Sequence, residues 1–224
     1  HYTDQLKELK QLADHVIGQF LPQAVDASDK YNQLLSFSVK QTAKLIAQWQ
    51  SIGFAHGVMN TDNMSIIGDT LAYGPYGFLD DYEPGFICNH SDHSGRYAFD
   101  QQPSIGLWNL SALAHALSSL IDNASIRDIL ARYEPYLIEA YADLMRNKLG
   151  LDKPQENDHK LCSQLLNLMA QDKIDYTRLF RQLSDFKTIE TASLSDEATK
   201  LALNKKNTTL GELFNQKEQW QAWA

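Results

Sequence analysis

The sequence has little of what marks several large classes of protein. It holds two cysteines, Cys88 and Cys162, in 224 residues, too few for a disulfide scaffold, so packing must stabilise the fold. Its 20 Lys and Arg are outnumbered by 28 Asp and Glu, for a formal net charge of −8. This acidic balance argues against a nucleic-acid partner. No stretch approaches the roughly 20 apolar residues that span a bilayer, so we expect no membrane partner.

The two ends of the chain carry no recognisable start or stop signal. Residues 1–4 are not the basic segment followed by an apolar one that a secretory signal peptide requires. They run directly into an amphipathic pattern, and Trp223 stands next to the last residue. We therefore expect a fragment of a longer protein, located in the bacterial cytoplasm.

Hydrophobic residues make up 43% of the chain and mostly recur with the period of amphipathic helices. We predict helices over residues 6–20, 31–49, 107–121, 126–144, 161–168 and 176–183. A polar loop between Gly150 and Asp158 interrupts the pattern. The fold is therefore predicted to be mainly α-helical.

The helical period disappears over residues 52–103, where Gly, Pro, Asn and Asp are frequent. Two short apolar runs, 64–67 and 70–73, flank Gly68 and Asp69, a pattern that predicts a small β-hairpin. Long ordered loops of this kind are more often functional than accidental. We therefore place the catalytic segment at about residues 52–103.

His56 and Asn63 open this segment with the His-to-Asn spacing of the protein-kinase catalytic loop. In that loop an Asp base follows the His by two residues, but here the position holds Val58. Asn63 offers a carbonyl oxygen to a hard cation such as Mg²⁺, and Asp62 places a carboxylate beside it.

The stretch Ala72-Tyr73-Gly74 follows the predicted hairpin, where a kinase carries Asp-Phe-Gly. The aromatic residue and the glycine are present, but the methyl group of Ala72 cannot coordinate a cation. Two alternatives stay open on these residues: a kinase-like nucleotide site that has lost a ligand, or a loop that merely contains turns.

Longer stretches resemble the selenoprotein O family, also called SelO or YdiU. Residues 56–65 read His-Gly-Val-Met-Asn-Thr-Asp-Asn-Met-Ser, and residues 73–80 read Tyr-Gly-Pro-Tyr-Gly-Phe-Leu-Asp. The likeness continues through residues 88–92, 95–97, 102–103 and 108–110, and weakens after about residue 150. It implies a kinase-like fold that binds ATP, or UTP in some members, in an inverted orientation. Such proteins transfer AMP to Ser, Thr or Tyr hydroxyl groups of other proteins.

The resemblance also implies roles for three residues. Asp62 is the catalytic proton acceptor, and Asn63 is a ligand of Mg²⁺ or Mn²⁺. Ala72 occupies the position of the second metal ligand, an Asp that also contacts ATP in the family motif Asp-Tyr-Gly-Pro. We expect an engineered Asp-to-Ala change there, with natural decay as the alternative, and a site that is inactive in either case.

The resemblance covers the helical lobe of the family. The Gly-rich nucleotide loop and the Lys, Arg and Glu residues that hold phosphates lie upstream in the family, and no Gly-rich loop occurs here. Residues 1–224 are therefore interpreted as a single kinase-like C-lobe whose partners are the N-lobe and protein substrates. A eukaryotic member would be mitochondrial. The alternatives are a protein kinase, which Val58 disfavours, and a non-catalytic protein-interaction module, which Ala72 favours.

Other polar residues of the segment have simpler explanations. His90, Asp92 and His93 are too closely spaced for zinc and are expected to satisfy turns. Cys88 belongs to the family motif and is expected to be a free thiol, and Cys162 a small core residue. Arg96 is expected either to pair with a nearby carboxylate or to face a phosphate or a protein substrate.

Overall fold

The computed structural model describes residues 5–184 and 210–223, and most of these residues are helical. The helices are α1 (Leu6–Phe20), α2 (Lys30–Ile52), α3 (Gln102–Ala116), α4 (Asn123–Leu130), α5 (Tyr133–Lys148), α6 (Asp158–Asp172), α7 (Tyr176–Leu183) and α8 (Lys217–Trp223). The prediction of a mainly α-helical fold is confirmed. In the described part of the chain, no helix has the length and apolarity needed to cross a membrane.

Helix α2 is the centre of the fold, and α3, α4 and α5 all pack against it. Its fully buried apolar side chains are Leu35, Val39, Ala43, Ile46 and Ala47. The helix ends at Gly53, whose φ of +70° lies in the left-handed region that favours glycine. A β-carbon at Gly53 would lie 3.0 Å from the Tyr176 ring. The helix therefore delivers the chain to the catalytic segment at a closely packed point.

The helices predicted over 107–121 and 126–144 differ most from the observed ones, and α3 ends at Ala116 instead of reaching residue 121. The helix predicted from residue 107 begins at Gln102, because Pro103 lies in its first turn, where proline needs no hydrogen-bond donor. The helix predicted over 126–144 is two helices, α4 and α5. Asp122 caps α4 by accepting the backbone N–H groups of Ala124 and Ser125. Hydrophobic periodicity continues across the short break after α4, so it does not mark this division.

A two-stranded antiparallel sheet lies in the catalytic segment, but it does not use the predicted residues. Strand β1 (Phe54–Ala55) pairs with β2 (Gly77–Phe78). The runs at 64–67 and 70–73 share only one bridge, Met64 with Thr70, although Gly68 makes the predicted turn with φ +82°. The prediction of strands there is wrong because the Leu71 carbonyl pairs with the His56 ring rather than with a strand partner.

The end of the catalytic segment is anchored to the second half of the chain. Tyr82 N–H donates to the Ile174 carbonyl at 2.9 Å, and Tyr176 N–H donates to the Asp80 carbonyl at 2.7 Å. Tyr176 is buried, and its hydroxyl donates to the Ser51 carbonyl at 3.0 Å. The same core includes Cys162, which is buried as predicted. These contacts fix both ends of residues 52–82 against α2 and α7.

Candidate active site

His56 ties the start of the catalytic segment to its later part. Its side chain is buried, and Nε2 lies 2.8 Å from the carbonyl oxygen of Leu71. A carbonyl can only accept, so Nε2 carries the hydrogen, which leaves Nδ1 to accept from Val58 N–H at 3.4 Å. The imidazole is therefore a structural link that brings Leu71, and with it Ala72, next to the loop.

Two side-chain amides from α3 hold this loop from behind. Gln102 accepts from His56 N–H and donates to the Phe54 carbonyl, each at 2.9 Å. Asn109 donates to the Met59 carbonyl at 2.9 Å. Both side chains are buried, so these hydrogen bonds replace the water that would otherwise satisfy the loop backbone. Sequence reasoning assigned these two residues no role.

Two further amides hold the front of the loop. Asn89 donates to the Gly57 carbonyl at 3.1 Å, and Asn63 donates to the Val58 carbonyl at 3.0 Å. Together with Gln102, these residues explain why an irregular backbone keeps one conformation without regular strands. The loop shape is set by amide side chains rather than by a sheet.

Asp62 and Asn63 lie together in a 3₁₀ turn, Thr61–Asn63. Because Nδ2 of Asn63 faces the carbonyl of Val58, its Oδ1 is directed away from that contact. Asp62 is exposed, and no hydrogen bond or ion pair from the described residues occupies its carboxylate. The turn thus presents one carboxylate and one amide oxygen on adjacent residues.

Ala72 has an unusual backbone conformation. Its φ is +53°, and Gly74 N–H donates to its carbonyl at 2.6 Å. A β-carbon in the left-handed region costs roughly 1–2 kcal/mol, whereas Asp and Asn are enriched there. Apart from Ala72, Lys173 is the one non-glycine residue with positive φ in the described part of the chain. The backbone at position 72 therefore suits an Asp better than the alanine it carries.

The donors present do not complete a cation site. Asn63 Oδ1 and the Asp62 carboxylate supply oxygen atoms, but Ala72 supplies none. Within residues 5–184 and 210–223, no three His, Cys, Asp or Glu side chains cluster closely enough to hold a metal ion. The residues present therefore do not fit a bound cation.

A group of aromatic rings follows position 72 in the chain and packs on Phe54. We call the buried Phe54 and the exposed Tyr73, Tyr76 and Phe78 the aromatic surface. The rings of the last three lie 5.4–6.4 Å, centroid to centroid, from the ring of Phe54. Tyr73 is 62% exposed. Large aromatic groups exposed together commonly mark an interaction site.

Asp92, one of the three polar residues predicted to be structural, has that role. Burial tends to raise the pKa of Asp92, but backbone N–H groups of Tyr97 and Arg96 outweigh it and hold the pKa below its ordinary value. Asp92 therefore closes a turn, as predicted. Cys88 is a free thiol, also as predicted, and burial raises its pKa.

A cavity of about 660 Å³ opens beside the catalytic loop, between α2, α3 and residues 61–66. Thr61, Met64 and Trp108 are among its lining residues. Sequence reasoning missed this cavity because its walls come from three distant parts of the chain.

Comparison with known proteins identifies the family. The family model described as protein adenylyltransferase SelO matches residues 1–224. The protein nucleotidyltransferase YdiU of Vibrio vulnificus strain YJ016 is 56% identical over 183 residues, which cover 82% of this chain and 37% of that protein. The YdiU protein of Myxococcus xanthus is 54% identical over 192 residues, 86% of this chain and 39% of that protein.

The chain thus spans roughly two fifths of the length of these relatives. The motifs around Asp62 and Ala72 that suggested the resemblance belong to a similarity that extends along most of the chain, and the resemblance is confirmed. The chain belongs to the SelO family of protein nucleotidyltransferases.

Proposed function

We propose that this chain is the kinase-like C-lobe of a protein adenylyltransferase, which transfers AMP from ATP to Ser, Thr or Tyr hydroxyl groups. UTP as donor would give UMP transfer by the same chemistry. Membership of the nucleotidyltransferase family supports the reaction type. The observation that carries the proposal is the turn that presents Asp62 and Asn63 on a loop tied through His56 to Leu71, the neighbour of position 72.

In this proposal Asp62 acts as the proton acceptor. The substrate hydroxyl gives its proton to the carboxylate while its oxygen attacks the α-phosphorus of the nucleotide. The bond between the α-phosphorus and the bridging oxygen breaks, and pyrophosphate leaves. The exposed carboxylate of Asp62 has no partner among the described residues that would compete for this proton.

We propose that the chain as it stands is inactive. The family reaction depends on Mg²⁺ or Mn²⁺ to neutralise the triphosphate, and the donor set is incomplete with Ala72. The left-handed backbone at Ala72 is what an Asp would favour, which supports the idea that the position formerly held one.

The aromatic surface has a natural partner in this proposal. The relatives are more than twice as long as the matched region, and a nucleotide-binding N-lobe in the rest of the protein would cover exposed rings such as Tyr73 and Phe78. The compared relatives are bacterial, and we propose a bacterial cytoplasmic protein.

The deciding experiment uses a full-length protein that contains this segment, with Asp or Ala at position 72. Each form is incubated with Mg²⁺ and ATP labelled on the α- or the γ-phosphate. We expect the Asp form to transfer α-label to protein and the Ala form to lose at least about 100-fold of that rate, since a metal ligand is missing. The Asp69→Ala change, an exposed carboxylate in the same segment, is the control and should leave transfer unchanged.

Two results would overturn the proposal. Transfer of γ-label would show a protein kinase. Absence of transfer from both forms would favour a non-catalytic protein-interaction module, for which the missing donor at Ala72 is the supporting observation. Nucleotide binding with and without Mg²⁺ separates these outcomes, because an interaction module should show none.

A further inference from the structure

We propose that the cavity beside the catalytic loop binds a segment of the protein substrate, with an apolar side chain inside it and an acidic side chain on Arg96. This inference rests on the proposed function, because it assumes that the acceptor hydroxyl belongs to a protein. It adds the recognition of residues next to that hydroxyl.

The cavity has an apolar wall that would pack against an apolar side chain, beside polar lining groups that include the Oδ1 atom of Asn109. Its volume of about 660 Å³ exceeds that of any single side chain. Its apolar walls come from Met64, Ile66, Leu110, Ala112, Leu113 and Ala116. The buried Thr42 and Ser38 of α2 also line it, and the Ser38 hydroxyl is already used by the Leu34 carbonyl. An apolar group that entered would leave this hydrogen bond intact.

Arg96 stands at the edge of this cavity with its charge uncompensated. Its guanidinium carbon lies 4.9 Å from the ring centroid of Trp108, a half-exposed residue that lines the cavity. No carboxylate in the described part of the chain lies within ion-pair distance of Arg96. The prediction of an internal pair is therefore not met, and the N–H groups of a stacked guanidinium remain available to a carboxylate.

The backbone around Arg96 is held in place before any substrate arrives. Asp92 accepts its backbone N–H at 2.9 Å, and the hydroxyl of the neighbouring Tyr97 donates to Asn60 Oδ1 at 2.5 Å. Asn60 directly precedes the turn that carries Asp62. The cation is thus fixed relative to the catalytic loop, which lowers the entropy lost on binding.

The cavity is continuous with the proposed base. Thr61 both lines the cavity and begins the turn that presents Asp62. A polypeptide with one side chain in the cavity would therefore pass close to Asp62, where a nearby hydroxyl group could be deprotonated. The exposed guanidinium of Arg96 complements an acidic residue in the bound segment.

The test measures binding of fluorescein-labelled peptides to the complete chain by anisotropy. Each peptide of the panel has 12 residues, with a central Ser and two Leu residues. The peptides differ in which of the remaining positions holds a single Glu. We expect the tightest peptide to lose about fivefold in affinity with Arg96→Gln, the upper end of the range for an exposed ion pair. Arg178→Gln removes an equally exposed cation from α7 and should change affinity less than twofold.

Two further variants separate recognition from a folding defect. Ala112→Phe fills the cavity and should abolish the preference for Leu over Ser in the peptide. The Arg96→Glu variant should bind the Glu-containing peptide more weakly than the unchanged protein does. It should bind more tightly to a peptide in which that Glu is replaced by Lys. A purely structural role for Arg96 predicts no such rescue.

The inference is overturned if no peptide binds, or if Arg96→Gln and Ala112→Phe both leave peptide affinity within twofold. It is also overturned if ATP alone competes fully for the Arg96-dependent binding, because Arg96 would then hold a phosphate. The outcome is separable from the proposed function. Peptide binding without transfer of the α-label would support the cavity as a peptide site and reject the proposed reaction. Transfer of the α-label to peptides at a rate unchanged by Arg96→Gln and Ala112→Phe would support the reaction and reject the peptide site.

Discussion

At the scale of single residues, the catalytic segment depends on a few side chains in unusual settings. Asp62 is exposed with no partner among the described residues, His56 is buried and bonded at both nitrogens, and Ala72 has a left-handed backbone. The first two are well suited to their positions. Ala72 is the exception, because its β-carbon is unfavourable at a φ of +53°.

The strain at Ala72 can be measured. We expect Ala72→Gly to raise the free energy of unfolding by about 1 kcal/mol or less, because glycine removes the β-carbon from a left-handed conformation. Ala142→Gly, at an exposed position inside α5, should instead lower it by about 1 kcal/mol. Urea denaturation of both variants checks the pair, and a loss of stability with Ala72→Gly would contradict the prediction.

The positions of Asp62, Asn63 and Ala72 could be predicted from sequence because they lie within one short run with a recognisable spacing. Their roles stay predictions. Gln102 and Asn109 could not be found in this way. Their hydrogen-bonding partners are almost 50 residues distant in the chain, and nothing in local spacing marks such a contact.

At the scale of elements, the loop of residues 54–63 is supported mainly by α3. Gln102 is fully buried and uses both atoms of its amide on the loop backbone. The helix therefore serves as a template for the catalytic loop as well as a part of the core.

Removing this support should be costly. We expect Gln102→Met to lower the free energy of unfolding by about 2–4 kcal/mol, because His56 N–H and the Phe54 carbonyl would both be left buried and unpaired. The exposed neighbour provides the control: Gln101→Met should change stability by less than about 0.5 kcal/mol. Urea denaturation gives both values, and hydrogen exchange of the His56 amide should accelerate in the first variant alone. Equal stability of the two variants would argue against the template role of α3.

Most helices could be predicted because the buried side chains of a helix recur every three to four residues, regardless of the element that it packs against. The strands could not be predicted from such a local pattern. Residues 64–67 and 70–73 have a hairpin pattern, but Trp49 Nε1 donates to Thr70 Oγ1 and His56 contacts the Leu71 carbonyl. Tertiary contacts from α2 and the loop thus determine the conformation of this segment.

At the scale of the whole molecule, Lys148 joins three helices at one point. Its Nζ donates to the Ser51 carbonyl near the end of α2 and lies 4.2 Å from the ring centroid of Tyr176 and 4.0 Å from that of Phe180. Burial lowers the pKa of Lys148 to about 8. The catalytic segment begins at residue 52, directly after Ser51.

The lowered pKa makes stability depend on pH. Between about pH 8 and the ordinary lysine pKa of 10.5, the unfolded chain binds the proton that the folded chain has lost, so the unfolding free energy contributed by Lys148 rises with pH. Subtracting the unfolding free energy of Lys148→Met cancels the titration of all shared groups. We expect the unfolding free energy of the protein with Lys148, minus that of the Lys148→Met variant, to increase from pH 8 to pH 10.

The exposed Lys153 supplies the comparison, with Lys153→Met measured at the same pH values. Urea denaturation at four pH values suffices. A flat difference for Lys148 would show that its ammonium group keeps its ordinary pKa in the folded protein, and a falling one that folding raises this pKa.

The hydrogen bond from His56 to Leu71 also has a consequence for how this family can vary. It closes residues 56–71 into a loop whose ends meet independently of what lies between them. The entropy of closing such a loop rises slowly with length, by about 0.6 kcal/mol per doubling. Insertions near Asp69 would therefore leave the contact between His56 and Leu71 intact. The segment can change in length during evolution without separating His56 from the residue that precedes position 72.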